Sequence, residues 1–476
     1  MKKVLCLVLA ALLLLGLCAC KQQEAQTAKP QFQVGYGRAD ITPSVSVPLS
    51  GYGNALTRMS EGFYNKLYAS CVAMRDENGN TVLLLSVDIT TSGELMVGEA
   101  RTAAAKATGV AEEQIMVSAT HTHSAPSYSS DHMNVGTAKK QFKDGVVAAA
   151  KAAVEDLAPA AVQISTTQTE NLNFVRHYLM NDGTYAGDNY GSFTSGIKAH
   201  ATEADSEMQL IRYVREGDKK DVLMVNWQAH PKVSSTGDTD NGKATRNLLS
   251  ADFVGSCREY VESQVDCHFI YFQGAAGNLN ARSGMAGKTA TTDCKEYGKL
   301  LGDFVIGGLE AMTEVAPGAV RVKKETYTAP VDKSDSDLVP KAKEIASYWS
   351  RTNDRSGSIQ MGEPYGIHSP YHANAIVARA QSGENLSMDV YAISAGGISF
   401  VTAPYEMFDT NGMYIKDNTP FDMTFILCYA NDHNSYIASA EAFDYGCYEA
   451  DIRRYAKGAA EELAELYVSM LKDLKG

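Results

Sequence analysis

The stretch TVLLLSVDITTSGELMVGEARTAAAKATGVAEEQIMVSATHTH (residues 81–123) sets the expected architecture. Residues 81–90 form an apolar run of the kind found in buried strands. Residues 94–109 are rich in alanine and end in glycine, which predicts a helix. Residues 112–120 contain the apolar run IMV and lead into two histidines separated by one threonine. The stretch therefore predicts a strand, a helix and a second strand that delivers imidazoles at its carboxyl end.

The same alternation continues along the chain and predicts an α/β fold. We expect a mixed, largely parallel sheet with helices packed around it. Length alone allows one large domain or two to three smaller ones. We expect a single large domain over residues 33–476, with the polar region 331–375 as an excursion over the sheet. The further predicted helices are 138–157, 252–263, 294–312 and 460–474, and the further strands are 221–229, 267–273, 398–404 and 424–431.

The first twenty residues, MKKVLCLVLAALLLLGLCAC, have the layout of an export signal. The segment from Leu17 to Cys20 resembles a bacterial lipobox, in which Cys20 becomes the acylated first residue. An ordinary signal peptide or a single membrane anchor is the alternative, although the apolar run is short for a spanning helix. We therefore expect a signal peptide over 1–19, a lipidated Cys20 with a flexible tether over 20–32, and anchoring on the extracytoplasmic side of a membrane.

Composition excludes a nucleic-acid partner. The chain has 43 basic and 56 acidic residues, a formal charge of −13. Loss of Lys2 and Lys3 with the signal leaves 41 basic residues and a charge of −15, which would repel phosphates. Hydrophobic residues make up 45%, ordinary for a globular chain. Six cysteines remain beyond Cys20, and either disulfides or buried thiols fit them.

Polar side chains follow several of the predicted strands. His121 and His123 follow the strand at 115–120, and His230 follows the strand at 221–229. Glu406 and Tyr436 come after the last two strands. Because ligands gather beyond the carboxyl ends of strands in α/β sheets, these side chains are expected to converge. Imidazoles and a carboxylate suit zinc with one position left open for water.

Each of these residues also has an ordinary structural interpretation. His230 could be a hydrogen-bonded structural histidine, Glu406 could cap a helix, and Tyr436 could belong to the core or the surface. His121 and His123 form the stronger signal, because side chains two apart in extended chain point to the same side. Spacing alone does not favour this set over four other histidines, which are His177, His368, His372 and His433.

Six segments together make the chain resemble the neutral ceramidases, which are zinc-dependent amidases that cleave the N-acyl bond of ceramide. They include GRADIT and THTHS, the most distinctive, and they run in the family's order over nearly all of the chain beyond the tether. The segments are 34–53, 118–127, 225–231, 272–280, 402–408 and 431–450.

The resemblance implies one zinc ion per chain, held by four ligands, and four further site residues. It implies that zinc polarises the amide carbonyl and activates the attacking water. The implied zinc ligands are His121, His230, Glu406 and Tyr436. The implied catalytic positions are His123, which contacts substrate, Tyr448, Arg176 and Gly274.

Two departures from the family pattern bear on function. Gly274 stands where the family has a serine regarded as catalytic, and Asn278 stands where it has an acidic turn residue. The family often carries a C-terminal β-sandwich, which we do not expect here. Because a metal can itself generate the nucleophile from water, loss of the serine need not abolish hydrolysis.

The sequence therefore favours a zinc amidohydrolase acting on ceramide or a related N-acyl amide. A surface lipoprotein of the same fold that binds metal and ligand, with catalysis lost at Gly274, is the alternative. A metal-free solute-binding lipoprotein would leave the polar residues at the strand ends unexplained.

Substituting Cys20 tests the predicted lipid anchor. Without the acylated thiol, the Cys20→Ala protein should appear in the medium, whereas the unaltered protein should sediment with membranes. Fractionation followed by immunoblotting measures this, and membrane retention of the variant would contradict the prediction.

Overall fold

The computed structural model describes residues 31–51, 58–91, 93–188, 195–234, 239–240, 243–244 and 246–476. The predicted signal peptide (1–19) and all but the last two residues of the tether (20–32) lie outside these residues. From Phe32 to Gly476 the chain forms one compact unit. Among the described helices, none combines the length and the apolar character needed to cross a lipid bilayer.

Helices account for much of the described chain. In chain order they are α1 (Glu94–Thr108), α2 (Val135–Glu155), α3 (Asp252–Gln264), α4 (Cys294–Gly308), α5 (Val339–Thr352), α6 (Arg355–Gly362), α7 (Pro370–Gln381), α8 (Asp409–Asn418), α9 (Ala440–Tyr445), α10 (Tyr448–Asp451) and α11 (Ala459–Lys475).

The described strands fall into two larger sheets and several short pairs. The first eleven are β1 (Gln33–Asp40), β2 (Tyr68–Arg75), β3 (Thr81–Val87), β4 (Ile115–Ala119), β5 (Ala158–Gln168), β6 (Phe174–Val175), β7 (His177–Met180), β8 (Tyr185–Gly187), β9 (Ile197–His200), β10 (Glu207–Arg215) and β11 (Asp221–Trp227). The others are β12 (Thr239–Asp240), β13 (Lys243–Ala244), β14 (Cys267–Gln273), β15 (Leu279–Asn280), β16 (Thr313–Val315), β17 (Val320–Pro330), β18 (Asn385–Ala395), β19 (Ile398–Ala403), β20 (Glu406–Met407), β21 (Met423–Cys428) and β22 (Tyr436–Ile437).

The large sheet has the order β14-β11-β10-β5-β1-β2-β3-β4, with β16 also paired to β5. The mixed α/β class is therefore confirmed, but the expectation of a largely parallel sheet is wrong. Only β3–β4 and β11–β14 are parallel within it. A parallel neighbour needs a crossover connection, and α1 and α3 supply these two crossovers. Tight turns such as 76–80 and 216–220 join antiparallel neighbours instead.

A second sheet, β17-β18-β19-β21, packs face to face on the large one. Apolar side chains of both sheets, such as Leu84, Ile270 and Phe425, share one buried cluster. The Asn226 amide of β11 bridges the sheets, because it donates to the Ile426 carbonyl at 2.8 Å and accepts from the Ile426 N–H at 2.9 Å. This pair fixes how the sheets align, and a buried amide with both partners satisfied costs little.

Helices cover the outer faces and complete four layers. Helix α2 packs on β1 and β2, and α11 packs on β17 and β18. Helices α3 and α4 pack together, and their apolar side chains form one cluster with those of β10, β11 and β14. The six cysteines of the described chain are all buried and none is joined to another, which matches the thiol alternative.

The polar region 331–375 is largely helical, which the sequence analysis did not predict. Helices α5, α6 and α7 pack around a small apolar cluster that includes Ile345 and Ile376. Local signals were present: the Asp354 and Ser369 side chains accept N–H groups at the starts of α6 and α7, as N-caps do. The polar composition concealed these helices, because only a narrow stripe of each is buried.

A buried ion pair gives a stability test. Arg258 of α3 donates two hydrogen bonds of 2.9 Å to Asp88, and both side chains are at most 5% exposed. Arg258→Met leaves the Asp88 carboxylate buried without its cation, so we expect the free energy of unfolding to fall by about 3–5 kcal/mol. Urea denaturation measures the change. The control Lys140→Met, at an exposed ion pair, should cost less than about 1 kcal/mol. Equal losses in both variants would contradict the prediction.

Candidate metal centre and active site

The candidate site lies where parallel strands of the two sheets end. His121 follows β4, and His230 follows β11, each a member of a parallel pair in the large sheet. Glu406 and Tyr436 lie opposite each other in the short parallel pair β20–β22, beyond the ends of β19 and β21. Although parallel pairs are the minority, they bring these four side chains to one place.

Backbone carbonyls fix the tautomers of two of the imidazoles. His121 Nδ1 lies 2.6 Å from the carbonyl oxygen of Thr90. His230 Nδ1 lies 2.9 and 3.0 Å from the carbonyl oxygens of Ala276 and Leu279. Since a carbonyl only accepts, each Nδ1 carries the hydrogen and donates it. Each Nε2 therefore presents a lone pair to the interior of the site, as in metal-ligating histidines.

These lone pairs face a carboxylate and a phenol. Glu406 Oε2 lies 3.5 Å from His121 Nε2 and 3.3 Å from His230 Nε2. The Tyr436 hydroxyl oxygen lies 3.4 Å from His230 Nε2. Two nitrogen lone pairs and an ionised oxygen at these distances repel one another unless a cation lies between them. The donor set of neutral imidazoles and carboxylate fits zinc.

His123 joins the same cluster from one side. Its Nε2 lies 3.3 Å from His121 Nε2, and one ligand atom each of His121, His123 and His230 fall within 4.8 Å of one another. The ring of His123 is only partly buried, whereas His121 and His230 are almost completely enclosed. His123 is therefore positioned at the open side of the cluster.

Burial sets the protonation of the site. It lowers the pKa of His121 to about 3 and that of His230 below its ordinary value, so both imidazoles are neutral at pH 7. The Tyr429 hydroxyl donates a hydrogen bond to Glu406, which favours the ionised form of this buried carboxyl. Burial also raises the pKa of the Tyr436 phenol far above 10. Neutral nitrogens beside a carboxylate are the state that a divalent cation prefers.

Arg176 and Tyr448 lie next to this cluster. The guanidinium of Arg176 sits 5.3 Å from the ring centre of Tyr436 and forms a buried ion pair with Glu449. Its charge is thus already compensated by the protein. Tyr448 begins α10, and its ring centre is 6.0 Å from that of Tyr436. The predicted contacts of Arg176 and Tyr448 with substrate stay predictions.

Gly274 packs so closely against Gln228 that a side chain at position 274 would collide with it. A Cβ on Gly274 would come within 2.7 Å of Gln228 Oε1. The Gln228 amide cannot easily move, because it donates to the carbonyls of Asp205 and Glu207 at 2.7 and 2.9 Å. The Gly274 N–H donates to the Trp227 carbonyl at 2.8 Å and is not available to a substrate. The catalytic assignment of this position by resemblance stays a prediction.

Gly277 positions Glu406. A Cβ there would lie 2.7 Å from the Glu406 carbonyl oxygen, and the Gly277 N–H donates to Met407 O at 2.7 Å. The loop 274–278 therefore packs directly against the strand that carries the candidate carboxylate ligand, and only glycine permits this approach.

The structure adds three residues to the site. The sequence analysis had not singled out Tyr429 and Glu449, and it had left His433 undecided. Tyr429 stacks on His121 with ring centres 4.0 Å apart and donates to Glu406 at 3.3 Å. His433 Nε2 lies 3.4 Å from Glu406 Oε1. Glu449 binds both Arg176 and His177. No spacing rule identifies them, because each acts through a partner from another part of the chain.

The other histidines that spacing had left open lie elsewhere. His177 contacts Glu449 and Tyr445, and His368 and His372 surround Asp451. Of the four, only His433 contacts a candidate ligand in the described structure.

The fold and the site together define a mixed α/β protein with a buried candidate metal centre. A family model described as "Neutral/alkaline non-lysosomal ceramidase, N-terminal" matches residues 32–279, just over half of the chain. The chain therefore belongs to the neutral/alkaline non-lysosomal ceramidase family, which confirms the resemblance. Glu406, Tyr436 and Tyr448 lie beyond the matched residues.

Two similar proteins agree with this assignment. The neutral ceramidase of Drosophila melanogaster is 29% identical over 249 residues, which are 49% of this chain and 32% of that protein. That of Drosophila pseudoobscura pseudoobscura is 29% identical over 187 residues, 36% of this chain and 25% of that protein. The matches thus span about a quarter to a third of these relatives. The crystal structure of neutral ceramidase from Pseudomonas aeruginosa covers 94% of this chain and 74% of its own, with a TM-score of 0.67 at 17% identity. This likeness supports the fold.

Asn278, which stands where the resemblance implies an acidic residue, forms a reciprocal pair with Asp409. Asn278 donates to Asp409 Oδ1 at 2.7 Å and accepts from the Asp409 N–H at 3.0 Å. Burial raises the pKa of Asp409 to about 6 even with this donor present. An aspartate at 278 would place two carboxylates in contact.

Asn278→Asp should therefore destabilise the protein in a pH-dependent way. In the folded protein, one of the two carboxyls would have a raised pKa. The free energy of unfolding would therefore fall as the pH rises from about 4, the pKa of an unfolded carboxyl, through the raised pKa of the folded state. We expect a loss of about 3 kcal/mol near pH 7.5 and a smaller one near pH 5. Urea denaturation at both pH values measures this, with the exposed substitution Asn385→Asp as control. A loss independent of pH would contradict the explanation.

Proposed function

We propose that this chain is a zinc-dependent amidohydrolase that cleaves the N-acyl amide bond of ceramide or of a related N-acyl amide. The observation that carries the proposal is the convergence of two Nε2 lone pairs and the Glu406 carboxylate within 3.5 Å. Membership in the ceramidase family supports the reaction class. The names of the similar proteins support ceramide as a substrate.

The candidate ligands are His121, His230, Glu406 and Tyr436. Bound there, zinc would polarise the amide carbonyl and lower the pKa of a water to about 7. The Tyr436 phenol has a raised pKa and keeps its proton unless a cation lies beside it. Tyr429 and the two carbonyl-bound Nδ1 atoms hold the ligand side chains in place.

The chain's own groups supply the remaining steps. His123, neutral and at the open side of the cluster, accepts a proton and passes it to the leaving nitrogen. The Tyr448 hydroxyl, whose pKa burial raises, stays protonated and donates to the oxyanion. Arg176 fixes the Tyr436 ring and helps to orient it. Gly274 makes room for Gln228 where the family has its serine.

We also propose that the protein is an exported lipoprotein held to a membrane through Cys20, with residues 33–476 as its catalytic domain. Such a tether would keep the site close to lipid substrates. The alternative is a lipoprotein that binds metal and ligand without catalysis. One observation favours it: glycine occupies position 274, where the resemblance implies a serine.

Hydrolysis of a short-chain fluorescent ceramide tests the function. We expect fatty acid release by the zinc-loaded protein, its loss with a chelator and its return with zinc. His230→Ala should lose both bound zinc, measured by elemental analysis, and activity. Tyr448→Phe should keep zinc but lose about 10²–10³ in kcat, because it removes one oxyanion donor.

His132→Ala, which removes a histidine outside the cluster, is the matched control and should keep zinc and activity. Stoichiometric zinc without turnover of any N-acyl amide would favour the non-catalytic alternative. Activity unaffected by chelator and by His230→Ala would contradict the metal-dependent mechanism.

A further inference from the structure

A cavity of about 430 Å³ opens beside Tyr448 and is not explained by the metal centre. We call it the Tyr448 cleft. One wall is helix α7, and the other is the segment 452–454 that follows α10. Its apolar lining is contributed by Val331, Ala375, Ala378, Leu386 and Ile452. Its volume is in the range of ligand sites, and apolar walls with a few convergent polar groups are typical of small-molecule pockets.

Aromatic rings connect this cleft to the candidate metal ligands. Tyr371 of α7 contacts Tyr448 with ring centres 6.2 Å apart and rings nearly perpendicular at 88°. Tyr448 contacts Tyr436 in the same way, at 6.0 Å and 74°. A molecule in the cleft therefore lies along a wall of aromatic rings that leads to the candidate metal centre.

Three arginines line the cleft in a chain whose net charge is strongly negative. Two of them are compensated by the protein, because Arg379 pairs with Asp335 and Arg453 pairs with Asp332. Arg454 differs. Its side chain donates to the amide oxygen of Asn434 at 3.1 Å, and no carboxylate of the described residues forms an ion pair with it.

A partly buried guanidinium without a counter-ion strongly attracts an anion, since solvent screening is weak inside a cleft. Its planar set of N–H donors matches a carboxylate, which it can bind with two hydrogen bonds. An unmodified fatty acyl chain ends in a methyl group. An anion at Arg454 would therefore belong to the amine part of a substrate.

We propose that Arg454 is a specificity residue that binds an anionic group, foremost a carboxylate, on the amine part of the N-acyl amide. The substrate class is then an N-acyl amino acid or a similar acidic lipid amide rather than neutral ceramide alone. The inference rests on the proposed amidohydrolase function and narrows its substrate. Arg454 does not touch the reacting atoms, so its effect falls on binding.

The test compares three substrates with the same acyl chain: N-palmitoylglycine, N-palmitoyltaurine and N-palmitoylethanolamine, which carry a carboxylate, a sulfonate and no charge. Mass spectrometry of the released amines gives kcat and KM for each. We expect the unaltered protein to prefer the carboxylate substrate. Arg454→Gln should raise KM for it by about 10- to 100-fold, leave kcat nearly unchanged and alter the neutral substrate less than about twofold.

Arg454→Lys, which keeps the charge, should restore part of the preference, and Arg351→Gln, at an exposed arginine of α5, should change nothing. If Arg454→Gln raised KM more for the sulfonate substrate than for the carboxylate substrate, Arg454 would still bind an anion, but the assignment of that anion as a carboxylate would be wrong. Equal loss on charged and neutral substrates would overturn the proposal.

The design separates this inference from the proposed function. If the neutral amide is cleaved and no anion preference exists, only the role of Arg454 fails. If no amide is cleaved, the proposed amidohydrolase function is wrong. Calorimetric titration with uncleaved N-palmitoylglycine then still tests whether Arg454 binds a carboxylate. Binding that Arg454→Gln weakens at least tenfold would support it, and unchanged or absent binding would reject it.

Discussion

The site depends on one constraint, the hydrogen bonds that fix the tautomers of His121 and His230. Each Nδ1 donates to a backbone carbonyl, so each Nε2 turns a lone pair towards Glu406. Two nitrogen lone pairs and a carboxylate are thereby held together, and neither of these two imidazoles directs a hydrogen at Glu406. A protein holds such an arrangement only when the surrounding fold is rigid, and it is stabilised when a cation occupies the centre. The electrostatics of the cluster thus favour a metal before any resemblance is considered.

The rest of the structure supplies that rigidity. The two sheets stack through a common apolar cluster, and the Asn226 amide ties β11 to β21. Gly277 then lets the loop after β14 contact the Glu406 strand through its backbone. As a result, ligands from the ends of two different sheets are held within a few ångströms. The reciprocal pair of Asn278 and Asp409 lies in the same loop region and depends on the same close packing.

The sequence predicted the helices α1, α2, α3 and α4 and the buried strands well, because their apolar periodicity is local. It failed on the parallel character of the sheet, since strand direction is decided by turns and by long connections. It also missed the helices within 331–375, whose buried stripes are narrow. In the site, His121 and Glu406 followed from their positions at strand ends. Tyr429, His433 and Glu449 could not be predicted, because their importance comes only from contacts with residues distant in the chain.

By itself the sequence determined the α/β class, the inventory of strand-end imidazoles, carboxylate and phenol, and, through six ordered segments, the resemblance to neutral ceramidases. The tertiary structure alone decided which of the histidines share a centre and which tautomers they adopt. It also decided that Arg454 forms no ion pair with a carboxylate of the described residues. The physical reason is that residue types and their periodicity are local properties. Lone-pair direction, burial and charge compensation exist only after distant segments have packed against one another.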